Sequence, residues 1–264
     1  MKIPWHVTGA LFASAIAVGG QPAAPARMPG YLTSSQTSDV VRIVPAAPKT
    51  GDARFEADMS IFRSTRSLEG SARWTFAQSD DNLSVSGLLH AFSCSLGLTL
   101  TPENAPKLVA LINRASADAT AASNVIKIRY QHKRPFQIAE ADVCVSPEGK
   151  EALKRSPDYP SGHTTVSWET GLILSQLAPD DAVDVLARAR AFGQSRVACG
   201  VHSLGAVEAG WMTATAVFAM QLSSPDFRKD LGAAQSELAS LRAAAKAKPP
   251  GCEAEAQILS NDPY

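Results

Sequence analysis

Three short stretches of this 264-residue chain bring together cations, imidazoles and turn residues. The first runs from Lys127 to Arg134-Pro135, the second is Asp158-Tyr159-Pro160-Ser161-Gly162-His163, and the third joins Ser195-Arg196 to His202. A guanidinium grips phosphate oxygens through a two-pronged fork, and a lysine ammonium does so as a point charge. Ser and Gly at a helix entry expose backbone N–H groups that favour an anion. An imidazole serves as nucleophile, acid or base. Each stretch alone also has an ordinary structural use, as a solvated basic face, an N-cap turn or an ion pair. Together they supply Lys127, Arg134 and Arg196 as cations, Ser161-Gly162 as donors, and His163 and His202 as proton-active groups. Phosphoryl transfer without a metal needs that set.

The elements that must position these groups read as helices. Apolar residues recur at spacings of three and four between Gly, Pro and Asn/Asp breaks, and few runs alternate with period two. Helices are predicted over 53–68, 82–96, 102–121, 125–133, 164–177, 179–194, 206–222 and 225–245. Seven residues at 100° each place Lys127 and Arg134 on one helix face two turns apart, with Pro135 ending the element at Arg134. The fold class is therefore all-α, a helical bundle with functional loops.

Residues 1–26 read as a secretory signal: Met1-Lys2, an apolar stretch from Val7 to Val18, and small residues ending in Ala24-Pro25-Ala26. Residues 27–49 are predicted to form an extended arm, 50–248 one folded domain, and 249–264 a tail. Lys+Arg and Asp+Glu both total 25, so no global field draws nucleic acid or an anionic membrane. Cys94, Cys144, Cys199 and Cys252 suggest two disulfides, with three pairings open. Cys199 and His202 have metal-like spacing, but no second pair accompanies them, and no metal or cofactor is expected.

The order Lys-x6-Arg-Pro, Pro-Ser-Gly-His, Ser-Arg-x5-His resembles the signature of the type 2 phosphatidic acid phosphatase (PAP2) superfamily, which includes class A non-specific acid phosphatases and vanadium haloperoxidases. Gly70 to Trp74, Tyr159 and Gly193-Gln194 are most similar to the class A phosphatases, and the resemblance covers about residues 45–245. It implies a PAP2/haloperoxidase-type bundle and an exported enzyme, secreted or periplasmic, hydrolysing phosphate monoesters through a phosphohistidine. His202 would be the nucleophile and His163 the acid, then the base. Lys127, Arg134, Ser161, Gly162 and Arg196 would hold the phosphoryl oxygens. A homodimer or larger assembly is implied too, and inorganic phosphate as product. Lipid phosphatases of the superfamily need several spans of ~20 apolar residues, and no such span follows the signal. The proximity of Cys144 and Cys199 to motifs favours pairing them, leaving Cys94 with Cys252.

One position departs from the pattern. The family's third motif continues His-x3-Asp, the aspartate orienting the nucleophile, and here that residue is Ala206. Glu208 is the expected substitute, provided the chain after His202 is not one continuous helix, in which Glu208 would lie about 240° round the axis. A backbone carbonyl or water is the other substitute. Without any orienter the chain would bind phosphate and not turn it over; vanadate-dependent peroxidation is a third reading.

Overall fold

The computed structural model describes Met1 and residues 29–264, so the predicted signal segment lies, apart from Met1, outside the described residues. Among the described residues there is no strand. In chain order the helices are α1 (Ser34–Asp39), α2 (Ala53–Thr65), α3 (Ala72–Ser79), α4 (Val85–Leu96), α5 (Pro106–Tyr130), α6 (Pro135–Ile138), α7 (Pro147–Lys154), α8 (Gly162–Leu177), α9 (Ala182–Ala198), α10 (Leu204–Gln221), α11 (Pro225–Ala244) and α12 (Cys252–Leu259). No helix among them is long and apolar enough to cross a membrane.

Local sequence explains where these helices begin. Ser71, Ser84, Ser146, Ser161, Ser203 and Ser224 each accept an N–H of the first turn on the side-chain oxygen. Proline opens α5, α6, α7 and α11, where its missing N–H costs nothing.

α8 is buried from Thr164 to Leu177 on nearly every side, as a helix at the centre of a bundle must be. It packs against α5, α9 and α10. A Cβ on Gly171 would stand 2.6 Å from Cβ of Ala189, so only glycine lets α8 and α9 approach this closely. The main core gathers Leu88, Phe92, Leu111, Ile112, Leu174 and Phe192 around α8.

The predicted helices at 102–121 and 125–133 are one element, α5, because the Ala-Ala-Ser-Asn stretch between them contains no breaker. α5 ends at Tyr130, with Gln131 at φ +46°, three residues before Arg134. α3 was not predicted; its eight residues are too few to display a periodicity, yet they bury Trp74 and Ala77. The 27–49 segment is not extended throughout: 34–39 is helical under a capping box at Thr33, and α1 packs on α5. The C-terminal tail carries α12, tethered by Cys94–Cys252, while Cys144–Cys199 forms the second disulfide.

Candidate active site

The three motifs meet where the end of α5, the start of α8 and the α9–α10 junction come together. Lys127 lies in the last turns of α5 and is buried. Its ammonium donates to the Pro157 carbonyl, and burial, with Arg134 nearby, lowers its pKa to about 7. Arg134 does not share Lys127's helix face as the spacing suggested. Because α5 stops early, Arg134 becomes the N-cap of α6. From there its Nε donates to the Ser156 carbonyl at 2.8 Å and its Nη1 to the Val201 carbonyl at 2.6 Å.

His202 is placed by two consecutive helix ends. α9 closes with Gly200 at φ +79°, Gly200 N–H on the Val197 carbonyl and Val201 N–H on the Arg196 carbonyl, the pattern of a Schellman cap. His202 N–H also reaches the Arg196 carbonyl, so the histidine folds back beside the arginine. Ser203 then caps α10.

The His202 ring is held from both sides. Nδ1 lies 2.7 Å from Oδ1 of Asp158, and Nε2 lies 3.0 Å from Nη1 of Arg134. Arginine can only donate, so Nε2 carries the lone pair and Nδ1 the proton. Burial and the charge of Arg134 push the His202 pKa well below its usual value, which keeps the ring neutral. Asp158 is fully buried, and Ser203 Oγ donates to its Oδ2 at 2.6 Å. His132 Nδ1 approaches the same Oδ2 at 3.4 Å. Burial alone would raise the carboxyl pKa, yet the His202 hydrogen bond, the close His132 imidazole and the charge of Arg134 hold it well below the carboxylate range.

Glu208 is not part of this arrangement. α10 runs as a regular helix from Leu204, and Glu208 points to solvent on its exposed face. Ala206 is packed in an apolar cluster with Ala122, Ile126 and Tyr159. The expected substitution by Glu208 fails because the junction ends at Ser203, α10 is regular from Leu204 onward, and Asp158 occupies the Nδ1 position.

Ser161 caps α8 through its hydroxyl, which accepts from Thr164 N–H at 3.3 Å and Thr164 Oγ1 at 2.9 Å. Its own N–H goes to the Ala206 carbonyl, tying the second motif to α10. Gly210 permits that contact, since a Cβ there would come within 2.9 Å of the Ser161 carbonyl oxygen. Gly162 and His163 follow as the first helical residues, whose N–H groups have no carbonyl one turn back within the helix.

His163 is partly exposed, with Nε2 3.0 Å from the Asp81 carbonyl. Burial and Arg196 lower its pKa well below the usual value, with smaller contributions from His202 and Arg134. Asp81 bridges His163 and Arg196, and His202 contacts both Arg134 through Nε2 and the Arg196 carbonyl through its N–H, so the two imidazoles and two arginines form one connected cluster. Arg196 is fully buried; Nη2 donates to Oδ1 of Asp81 at 2.7 Å, while Nε has no partner. The structure thus brings Lys127, Arg134, Ser161, Gly162, His163, Arg196 and His202 together and leaves Glu208 out.

The sequence profile of the PAP2 superfamily matches residues 108–229. An acid phosphatase of Zymomonas mobilis is 35% identical over 208 residues, covering 79% of this chain and 78% of that protein. The non-specific acid phosphatase of Providencia stuartii is 32% identical over 213 residues, covering 80% and 86%. That of Salmonella typhi is 33% identical over 199 residues, covering 74% and 78%. The chain belongs to the PAP2 superfamily.

Within the PAP2 pattern, Asp158 is the residue that sequence reasoning missed. It opens the second stretch, two residues before Pro160 and 44 residues upstream of His202, and its only signal is an acid next to Tyr-Pro-Ser-Gly-His. His132 and Asp81 were missed too, the first within Lys-x6-Arg and the second in the α3–α4 turn. Cys199, which with His202 had metal-like spacing, is oxidised with Cys144.

Proposed function

We propose that this chain is an exported acid phosphatase that hydrolyses phosphate monoesters, without a metal, through a phosphohistidine on His202. The observation that carries the reading is the two-sided grip on His202, Asp158 at Nδ1 and Arg134 at Nε2. It leaves a lone pair on Nε2 in the midst of cations. On substrate binding the phosphoryl oxygens replace the nitrogen as Arg134's acceptor, and Arg196 Nε, Lys127 and the Gly162 N–H complete the cradle.

In the first step Nε2 bonds to phosphorus and the P–O ester bond breaks. The proton for the departing oxygen comes from the His163 imidazolium, and Asp158 stabilises the positive charge that His202 acquires. In the second step neutral His163 takes a proton from water, whose oxygen attacks phosphorus, and the N–P bond breaks to release phosphate. Preorganised donors on the equatorial oxygens supply most of the rate, each about 3 kcal/mol.

The reading in which the chain only binds phosphate drew its motive from Ala206, and a carboxylate at Nδ1 removes that motive. Export is supported by the apolar stretch from Val7 to Val18 and by two disulfides, which persist in oxidising compartments. The test is to incubate the purified chain with a labelled phosphomonoester in EDTA, quench in base and map the label. Label on His202 is expected; turnover with label elsewhere, or turnover that requires added metal, sinks the mechanism.

A further inference from the structure

Asp81 stands in the turn between α3 and α4 and makes contacts that the phosphatase reading does not use. Its carbonyl accepts from His163 Nε2 at 3.0 Å. A carbonyl cannot donate, so Nε2 keeps its proton and Nδ1 is left to serve the leaving group. Its carboxylate Oδ1 lies 2.7 Å from Arg196 Nη2 and 3.5 Å from His163 Nε2. The Asp81 side chain is 44% exposed, whereas the Arg196 side chain is fully buried. One carboxylate therefore touches the group that holds the phosphoryl oxygens and the group that protonates the ester oxygen, while it still faces solvent.

Its neighbour Asp80 is engaged inward. The Asp80 carboxylate takes Arg188 at 2.5 Å and Ser195 Oγ at 2.6 Å, and Arg73 reaches the same serine at 2.9 Å. That network fixes the turn, so Asp81 projects from a rigid base. The Arg196 fork is only partly occupied: Nη2 is bound to Asp81, and Nε is buried with no partner. A phosphoryl group that takes Nε must sit beside the Asp81 carboxylate.

We propose that Asp81 is a leaving-group filter: its carboxylate beside Arg196 and His163 opposes esters whose alcohol carries a negative charge and favours those whose alcohol carries an ammonium. The inference rests on the phosphatase reading for its choice of bound groups. An ester oxygen about 3 Å from His163 Nδ1 lies across the imidazole from the carboxylate, which is on the Nε2 side, so the first atoms of the alcohol feel its charge from roughly 7 Å. A unit charge about 7 Å away, at an effective dielectric of about 40, changes affinity about five- to tenfold. The same carboxylate competes with inorganic phosphate for Arg196, so removing its charge tightens phosphate binding.

The test compares the natural chain with Asp81→Asn, which retains the backbone carbonyl that holds His163. Values of kcat/KM are measured for 2-aminoethyl phosphate and carboxymethyl phosphate, and calorimetry gives the Kd of inorganic phosphate. The amino-to-carboxy ratio is expected to fall about tenfold or more in the variant, with phosphate bound about three times more tightly. In the natural chain the ratio also falls as salt rises from 0.01 to about 0.5 M, because screening acts on a charge that remains half exposed. A ratio that stays within twofold in the variant and in salt overturns the filter. If neither ester is turned over, the phosphatase reading falls, and the filter is judged on the Kd values of the same two esters.

Discussion

Asp158 Oδ1 and His202 Nδ1 lie 2.7 Å apart, with both side chains essentially excluded from solvent. The carboxylate comes from the loop before α8, and the imidazole from the junction of α9 and α10. A buried carboxylate survives only where other groups compensate for lost hydration. Here Ser203 Oγ, Ser203 N–H and His132 supply that compensation alongside His202. The acid that the family pattern puts four residues after the histidine is thus provided from another element, while Ala206 packs in the core.

Asp158→Asn is expected to lower kcat about 10³- to 10⁴-fold with KM changed only a few-fold, as when an orienting acid is lost from a comparable triad. The amide keeps the shape and removes the charge that fixes the Nδ1–H tautomer. Steady-state kinetics on p-nitrophenyl phosphate measure this. A loss below tenfold means that Asp158 is not the orienter.

Glu208→Ala is expected to leave kcat/KM within about threefold of the natural chain, since surface substitutions away from a site do little. Glu208 is exposed on α10, and the Nδ1 position it would have to occupy belongs to Asp158. The same assay decides, and a tenfold loss would place Glu208 back at the site.

The helical class and the gathering of the three motifs were legible in the sequence, because apolar period and motif order are local or near-local signals. That Ser161 to His163 stand at a helix entry followed from chemistry written within a few residues, although α8 starts at Gly162, two residues before the predicted start at 164. What was not legible depended on distance in the chain. The pairing of residues 158 and 202 is made by tertiary packing, and no spacing rule connects them. Arg134 was misassigned for a local reason of a subtler kind: Gln131 takes a left-handed conformation, open to few residues other than glycine and asparagine, and ends α5 where no Gly or Pro marks a stop.

Activity is expected to be highest in acid and to fall in two stages as pH rises. His163 must be protonated to act as the acid, and burial with Arg196 puts its pKa well below 6.5, so kcat/KM declines first with a slope of about −1 in the free enzyme's titration. Lys127 loses its charge near pH 7, and above that the decline steepens. Lys127→Arg should abolish the second stage, because a guanidinium does not titrate in this range. A pH profile of kcat/KM from 4 to 9 on both proteins reads the difference, and an unchanged slope above pH 7 in the variant refutes the role of Lys127.

Asp58→Asn is expected to stabilise the fold at neutral pH. Asp58 on α2 accepts the Gly205 N–H at 2.8 Å through Oδ1, while its buried Oδ2 has no partner. Burial, with Asp158 and Glu208 adding repulsion, raises its pKa from 3.8 to about 6. The folded chain therefore binds this proton more tightly than the unfolded chain, and stability falls as pH rises from about 4 to 6, by at most about 3 kcal/mol. The amide keeps an oxygen for Gly205 and carries no charge, so about 1–2 kcal/mol should return at pH 7.5 and almost none at pH 3.5. Urea unfolding of both proteins at the two pH values measures this, and an equal difference at both would show that the charge of Asp58 does not matter.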